Sequence, residues 1–523
     1  MRNRLVPTLA LAAAALPALA LDHVIVGPRA LGMAGANVAS TRDTTAQFYN
    51  PGAFGFFGAK QDSLPGEDGK PTAVDPQVYE SDNQRLGERD FGLHVDALGS
   101  YRLTGRIGDL VAEAEDIGID ELSELGSGSG LTRDDVDRIV RLSALLAEID
   151  EDDYEIQIMA NAGGGLRFGP FAIGARAYTH AAGLVREIDR ENLGLDFSGV
   201  AEFDQDLQDL NAQEDLVPAD YQNQYIVPGS DSYQRLSDIG ISDESISVLD
   251  VRLGNAVDNG NVPTFIVDQT ITELENLAEQ VDGVGGGGPL DENRTAVTAL
   301  GLAYVEVPVT YGYAINEHVA IGGSVKYMQG RQYATTIRIF DEDLDQVVED
   351  SEEYHEESTA FGVDLGVMAR MPNFQAGIVA RNVNSPTFDG FTFTDPFGNP
   401  EQVPDRELDP TISIGGAWIP SSQMTVEVGL DVTAQDSLYE NYETQMVRAG
   451  VEFDLLHFLA LRGGIMNNLS ESDVGPIVTA GFGLNLWLLR FDLAAGASLE
   501  TSDYDGSEYP SEGYVALAVT GEF

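Results

Sequence analysis

Apolar residues recur at every second position along much of the chain, and the final segment shows this most cleanly. Val515, Leu517, Val519 and Phe523 fall on one side of an extended chain, while Tyr514, Thr520 and Glu522 fall on the other. Just before it, Phe491, Leu493, Ala495, Ala497 and Leu499 alternate with Arg490, Asp492, Ala494, Gly496 and Ser498. Earlier still, Val478, Ala480, Phe482, Leu484 and Leu486 alternate with Thr479, Gly481, Gly483 and Asn485. The same period predicts strands over residues 91–101, 154–168, 171–184, 299–314, 318–339, 360–370, 374–383, 411–418, 424–434, 444–454, 458–467, 477–487, 490–500 and 513–523. That makes about fourteen, an even number.

A soluble sandwich also alternates, so the period alone does not decide. The connections do. Short turns at Gly169-Pro170, Asn316-Glu317, Met371-Pro372-Asn373, Pro420-Ser421-Ser422, Leu455-Leu456-His457 and around Leu488 alternate with longer segments. Short periplasmic turns and long external loops are the rule of outer-membrane barrels, which place both chain ends on the periplasmic side. The expectation is an all-β membrane fold, an antiparallel outer-membrane β-barrel of about fourteen strands, with lipid against its outer face.

Two long connections, residues 102–153 and 185–298, carry helical patterns. Thr132 with Asp135 forms an N-cap arrangement ahead of Val136, Ile139, Val140, Leu146 and Ile149, and Thr270 with Glu273 does the same for Ile271, Leu274, Leu277 and Val281. These helices are expected to pack over the barrel mouth. The glycines Gly283 and Gly285 to Gly288 end the second helix; no Lys-Ser/Thr follows, which excludes a phosphate-binding loop and leaves a linker.

At the other end, Met1-Arg2-Asn3-Arg4 is basic, Leu5 to Leu16 is apolar, and Ala18-Leu19-Ala20 is a small-residue cleavage site: a secretory signal peptide cut after Ala20. No later run has the roughly 20 apolar residues of a membrane-spanning helix. The expected organisation is a signal peptide at 1–20, an N-terminal hatch and linker at 21–88, and a barrel with large external insertions at 89–523. The expected location is the outer membrane of a Gram-negative cell.

Charge narrows the partners. The 523 residues include 29 basic and 86 acidic side chains, a net charge of −57. Phosphate recognition needs clustered Lys and Arg, so nucleic acid is excluded as a partner. A heavily hydrated acidic surface fits a saline habitat or divalent-cation binding. The absence of Cys excludes disulfides, zinc-thiolate sites and thiol catalysis.

The alternation turns Lys326, Asp364, Arg370, Arg381, Glu427, Asp431, Arg448, Glu452, Arg462, Arg490 and Asp492 inward as candidate lumen charges. They can pair across the lumen as a structural ladder or line a permeation path. Inward glycines, Gly362, Gly366, Gly429, Gly450, Gly464, Gly481 and Gly483, leave room for a plug or a narrow channel. Asp341-Glu342-Asp343-Leu344-Asp345 with Glu352 partly matches a calcium loop, but Gln346 stands where that loop needs Gly, and an acidic external loop is the reading preferred. Thr501 to Gly506 reads as a hairpin tip. The six His (His23, His94, His180, His318, His355 and His457) are scattered, and no Ser sits in a Gly-x-Ser-x-Gly elbow, so no enzyme, catalytic residue, metal or cofactor is expected.

The segment Arg29-Ala30-Leu31-Gly32-Met33-Ala34-Gly35-Ala36, followed by Asp43 and by Tyr49-Asn50-Pro51-Gly52, reads from its residues alone as an N-terminal cap with a tight turn. It also resembles the N-terminal signature of FadL-like outer-membrane barrels. Arg448 to Asp454, Leu461-Arg462-Gly463-Gly464 and Ala480 to Leu484 are similar to the C-terminal pattern of the conjugal-transfer TraF-like outer-membrane family. The resemblance implies a hatch motif of Gly32, Gly35, Asp43, Tyr49, Asn50 and Pro51 that plugs the barrel. It implies a passive transporter of small hydrophobic molecules, or else a structural component of a conjugal-transfer or secretion apparatus with apparatus proteins as partners. It also implies that a kink in an early strand can open sideways; Gly174 or Gly183 could permit one.

Overall fold

The computed structural model describes residues 24–57, 91–104, 116–117, 131–151, 155–187, 189, 200–281, 294, 296–338 and 354–523, except 372, 396, 422, 439–441, 456–457, 472–473, 487 and 505–506. The expected signal peptide, the Gly283–Gly288 run and the acidic segment 341–352 lie outside the described residues.

Fourteen strands form a closed barrel in which each pairs antiparallel with its chain neighbours and the first pairs with the last. They are β1 (Phe91–Thr104), β2 (Glu155–Phe168), β3 (Phe171–Glu187), β4 (Ala296–Ala314), β5 (Val319–Arg338), β6 (His355–Met371) and β7 (Phe374–Arg381). The circle continues with β8 (Thr411–Ser421), β9 (Met424–Asp431), β10 (Met446–Leu455), β11 (Leu459–Asn468), β12 (Ile477–Leu486), β13 (Leu489–Ser498) and β14 (Glu512–Glu522). Each of the fourteen alternating segments is one of these strands. Closure leaves no unpaired edge in a solvent that could not satisfy it.

The alternation separates lipid from lumen. Outward side chains such as Val95, Phe361, Leu365, Ile378, Val428 and Leu517 are exposed, while their neighbours Asp96, Asp364, Glu427 and Ala516 are buried. Along β5 the outward positions run Ile321, Val325 and Tyr327 and then change to Gln329 and Arg331; β6 makes the same change from Phe361 and Leu365 to Glu357. Tyr327 and Phe361 meet edge to face with ring centroids 5.5 Å apart, where the apolar band ends. At the periplasmic ends, Phe168, Phe171, Tyr311, Tyr313, Phe374, Trp418, Phe453, Phe458, Phe491 and Phe523 are exposed, an aromatic girdle at the other interface.

The wall is uneven. Strands β3 to β6 run 17, 19, 20 and 17 residues, whereas a membrane crossing needs only about 9–11. Strands β7 and β9 have 8 residues. One side of the barrel therefore stands well above the membrane as a tall wall.

Beyond the sheet lie the helices α1 (Pro28–Gly32) and α2 (Ala46–Tyr49) in the N-terminal segment, α3 (Arg133–Glu151) between β1 and β2, and α4 (Val200–Glu214), α5 (Asp231–Asp238), α6 (Asp243–Asp258) and α7 (Val267–Val281) between β3 and β4. Helices α3 to α7 share one hydrophobic core that includes Val140, Leu142, Leu207, Leu236, Leu249, Leu253, Ile266 and Leu274. The two insertions thus make one helical cap. Its apolar core meets the barrel at Leu103 and Ile156, outward positions at the external ends of β1 and β2. The cap leans on the rim, and the side chains that close the mouth come from other loops.

At the start of α3 the reciprocal cap is present: Asp135 N donates to Thr132 Oγ1 (3.3 Å) and Thr132 N to Asp135 Oδ2 (2.8 Å). The expected cap at Thr270 is not. Thr270 is fully buried inside α7, and its hydroxyl donates to the Ile266 carbonyl (3.0 Å) one turn back. The helix starts three residues earlier, after the 3-10 turn Thr264–Ile266, because Ile266 and Val267 join the core and carry the helix back past the polar pair. Helices α4 to α6 were missed by the sequence reading. Ser230 and Ser242 cap α5 and α6 by accepting from Tyr233 N and Ser245 N. The loop before α5 is tied to α6 by Asp250, which accepts from Gln224 N, Tyr225 N and Ile226 N, and from the Tyr221 hydroxyl at 2.6 Å. Burial, together with that acceptor, raises the Tyr221 phenol above its usual range.

Thr501–Tyr504, expected as part of a hairpin tip, is an arm of a hairpin and pairs antiparallel with Ser507–Pro510.

Candidate functional site

The lumen has two storeys. The lower one holds the N-terminal segment. Pro28 opens α1, Gly27 and Gly35 take positive φ (78° and 80°), and residues 25–57 are nearly all buried although they form no sheet. Tyr49 donates its hydroxyl to Val26 O (3.0 Å) and accepts from Val26 N (2.7 Å), folding the segment on itself. Asn50 accepts from Gly52 N (3.0 Å) and donates its amide to Val38 O (3.1 Å) and to Val367 O of β6 (3.0 Å). One side chain thereby makes the tight turn and fastens it to the wall.

Glycines in the wall make room for this plug. A Cβ on Gly322 would overlap the Pro51 carbonyl, one on Gly366 would overlap Asn50 Oδ1, and one on Gly450 would come within 2.5 Å of Met33 O. Gly464 faces Ala34 and Gly481 faces Gly32 in the same manner. Gly362, Gly429 and Gly483 do not face the plug: Gly362 and Gly483 border Lys326 and the Arg462–Asp492 pair, and Gly429 lies near Arg448.

Electrostatic ties complete the fit. Glu452 pairs with Arg462 (2.6 Å), with Arg29 (3.2 Å) and with Arg42; Arg462 pairs with Asp492 (2.6 Å), Asp492 with Arg490 (2.6 Å), and Arg490 with Asp43 (3.0 Å). Glu427 accepts from the backbone N–H groups of Ala39 (2.8 Å) and Ser40 (2.9 Å). Glu452 thus takes three arginines, Arg29 and Arg462 buried and Arg42 partly so, and every arginine of the cluster has a carboxylate at ion-pair distance, which offsets part of the desolvation cost. Arg381 donates to the carbonyls of Phe48 (3.1 Å) and Tyr49 (3.3 Å). Arg448 pairs with Asp431 (2.7 Å), Lys326 with Asp364 (2.9 Å), and Arg370 lies over Phe56 (3.8 Å).

All the candidate lumen charges face inward, and every one except the half-buried Arg370 is buried. Those on β9 to β13, with Arg381, contact the plug or its direct partners. The Lys326–Asp364 pair joins Glu306 higher up, and Glu306 accepts the Tyr178 hydroxyl (2.6 Å). Sequence reasoning missed the pairs on β1 to β3: Asp96 with Arg176 and His94, and Arg167 with Glu522. Inward alternation along 91–103 and 155–183 was the signal that could have found them.

Above the plug the lumen becomes largely apolar, with Glu306 and the Arg102–Glu512 pair among its buried charges. Tyr178, Leu302, Tyr304, Met328 and Ala360 pack around Phe388, which enters from the β7–β8 connection; Tyr304 stands 5.5 Å from Phe388 and 4.7 Å from Tyr178. Leu438, from the β9–β10 connection, packs with Ala182, Leu300, Ala334, Phe393 and Val403. Both connections fold inward against the tall wall and close the mouth. Next to them Arg102 pairs with Glu512 (3.1 Å), donates to Gln157 (2.9 Å) and lies over Tyr442 (4.8 Å). A cavity of about 30 Å³ remains between plug and mouth; Leu98, Met159, Met446 and Met466 line it together with the polar Ser100, Arg102, Thr444 and Arg448. That is room for little more than a water molecule.

Gly183 sits in unbroken register with Ala299 and Ile156. Gly174 does not: the β3–β4 ladder passes from Ile173–Val309 to Arg176–Glu306, skipping Gly174 and Ala175, opposite Pro308, which has no N–H to give.

A search of curated proteins finds no match. Solved structures similar to the chain include the Ralstonia pickettii toluene transporter TbuX (12% identity, 95% of this chain and 98% of that chain covered, TM-score 0.44). They also include the CymD monoaromatic hydrocarbon channel (10%, 96% and 98%, 0.43) and a Pseudomonas aeruginosa FadL homologue (7%, 97% and 99%, 0.42). The family model described as "F plasmid transfer operon, TraF, protein" matches residues 82–431, and the chain belongs to that family.

Proposed function

We propose that this outer-membrane barrel is a passive channel for small hydrophobic molecules. The observation that carries the reading is the upper lumen, where Leu98, Met159, Leu302, Met328, Met446 and Met466 face inward and are buried. A water-filled pore needs polar walls throughout; a methionine-rich chamber of unbranched, adaptable side chains with a few polar groups, Ser100 and Arg102 among them, suits oily solutes of varying shape. The cavity must widen to admit them, by retreat of the loops carrying Phe388 and Leu438. The interruption at Gly174 and Pro308 supports a lateral way out past the plug. The N-terminal 20 residues serve export to the outer membrane in this reading.

Replacing Met159 with Glu should abolish passage of toluene or long-chain fatty acid into proteoliposomes while the barrel still folds. Undiminished passage through that variant, or unchanged uptake by cells lacking the gene across several such compounds, refutes the channel.

A second reading follows from the family's description and the helical cap, which has a core of its own and stands at the rim, where it could meet another protein. It makes the chain a component of a plasmid-transfer apparatus. Loss of the gene from donor cells should then lower mating frequency with uptake unaffected.

A further inference from the structure

The upper lumen contains a buried polar side chain that has no partner among the described residues. His180 points inward from β3, next in register to Met159 on β2 and Leu302 on β4. It is 1% exposed, and neither ring nitrogen has a hydrogen-bond partner among the described residues. Along its own strand it stands between Tyr178, whose hydroxyl is given to Glu306, and the apolar Ala182. Arg102 is committed to Glu512, Gln157 and the Tyr442 ring.

An imidazole shut away from water without a partner costs free energy, and such groups are otherwise rare in folded proteins. The neutral ring offers one N–H donor and one nitrogen acceptor. A hydroxyl is its complement, since it both donates and accepts. Met159 borders the cavity and neighbours His180 in the sheet, so a change of its flexible side chain would join the two.

We infer that His180 is the polar recognition point of the lumen, and that the preferred solutes are apolar molecules carrying a single hydroxyl, such as alkylphenols, over plain hydrocarbons. This rests on the channel reading above. A plain hydrocarbon still enters the chamber but leaves the imidazole unpaired, and the discrimination is the difference between those two states.

The test is titration calorimetry on the full chain in detergent with three probes: p-cresol, toluene and p-cresol methyl ether. Wild type is compared with His180→Leu and His180→Gln, each checked for folding by the shift between unboiled and boiled samples on a gel. His180→Leu should lose roughly 3- to 10-fold in p-cresol affinity, the worth of one neutral hydrogen bond, with toluene unchanged. His180→Gln, which keeps a donor and an acceptor, should recover part of it. An unchanged ratio of p-cresol to toluene affinity in His180→Leu overturns the assignment. If that variant does not fold, wild type decides: the methyl ether has more apolar surface but no donor, and should bind more weakly than p-cresol; equal or tighter binding overturns the assignment. Binding of all three probes without discrimination sinks the inference alone, whereas binding of none sinks the channel reading as well.

Discussion

The plug and the helical cap are both additions to the barrel, and they are held by opposite means. The cap buries Leu207, Leu249, Leu253 and Ile266 against one another, so its stability comes from apolar area removed from water. The plug has short helices of 5 and 4 residues and is held by what the wall offers: carboxylates, arginines, a strand carbonyl and the notches at Gly322 and Gly366. A region organised like the cap can hold together by itself. One organised like the plug exists only inside its barrel.

The most damaging way to probe this contrast is at Glu452. Truncation to Ala leaves Arg29, Arg42 and Arg462 without that partner, and removal of one member of a buried ionic cluster costs roughly 3–5 kcal/mol. Glu452→Ala should lower the unfolding free energy from urea titration in detergent by that amount and expose residues 24–57 to protease while the cap's helical signal persists. Loss of the cap in the same transition would show that the two regions are one cooperative unit.

The converse change is Leu253→Ala, at a fully buried position in α6. A cavity of that kind costs roughly 2–5 kcal/mol. It should melt the cap at lower temperature by circular dichroism and leave the boiled-to-unboiled gel shift of the barrel unchanged.

The smallest effect separates the regions by pH. Asp204 of the cap accepts from Ser242 N (2.8 Å) and Gln208 Nε2 (2.7 Å). Burial alone would raise its pKa, but hydrogen bonds from Ser245, Ser242 and Gln208 outweigh it and hold the carboxyl below the usual range. A carboxyl depressed in the folded state contributes stability above its unfolded pKa, near 4, and that contribution fades as pH falls through the folded value. The cap's melting temperature should therefore drop more steeply below about pH 4 in wild type than in Asp204→Asn. Parallel curves would remove Asp204 from the account.

Legibility in the sequence followed the same division. The strands were readable because lipid on one side and a packed lumen on the other impose a two-residue period, as at Val515, Leu517 and Val519 against Tyr514, Ala516 and Ala518. The inward charges were readable by the same token, yet their partners were not: that Glu452 meets Arg29 and Arg42 depends on where a segment some 400 residues distant is placed. The plug showed itself through family resemblance, since Asn50 gives no local sign that it will bond to Val367. Helices α4 to α6 were overlooked because their acidic surfaces mask the apolar stripe of Phe203, Leu207 and Leu210. The apolar part of the upper lumen was missed for a related reason. Methionine at 159, 446 or 466 on the inner face looks, in a one-dimensional reading, like any other core residue.

The seam between β1 and β14 limits how the plug can enter. Phe91 N donates to Phe523 O (3.2 Å) and Phe523 N to Phe91 O (2.8 Å), which completes the cylinder where the first strand meets the last. The plug precedes the first strand. Once that seam has formed, the segment can reach the lumen only through an end of the cylinder, and its buried ties to the wall, Arg29 to Glu452 and Arg490 to Asp43, then hold it there as a stopper. In the channel reading, permeability is therefore gained by motion within a finished molecule.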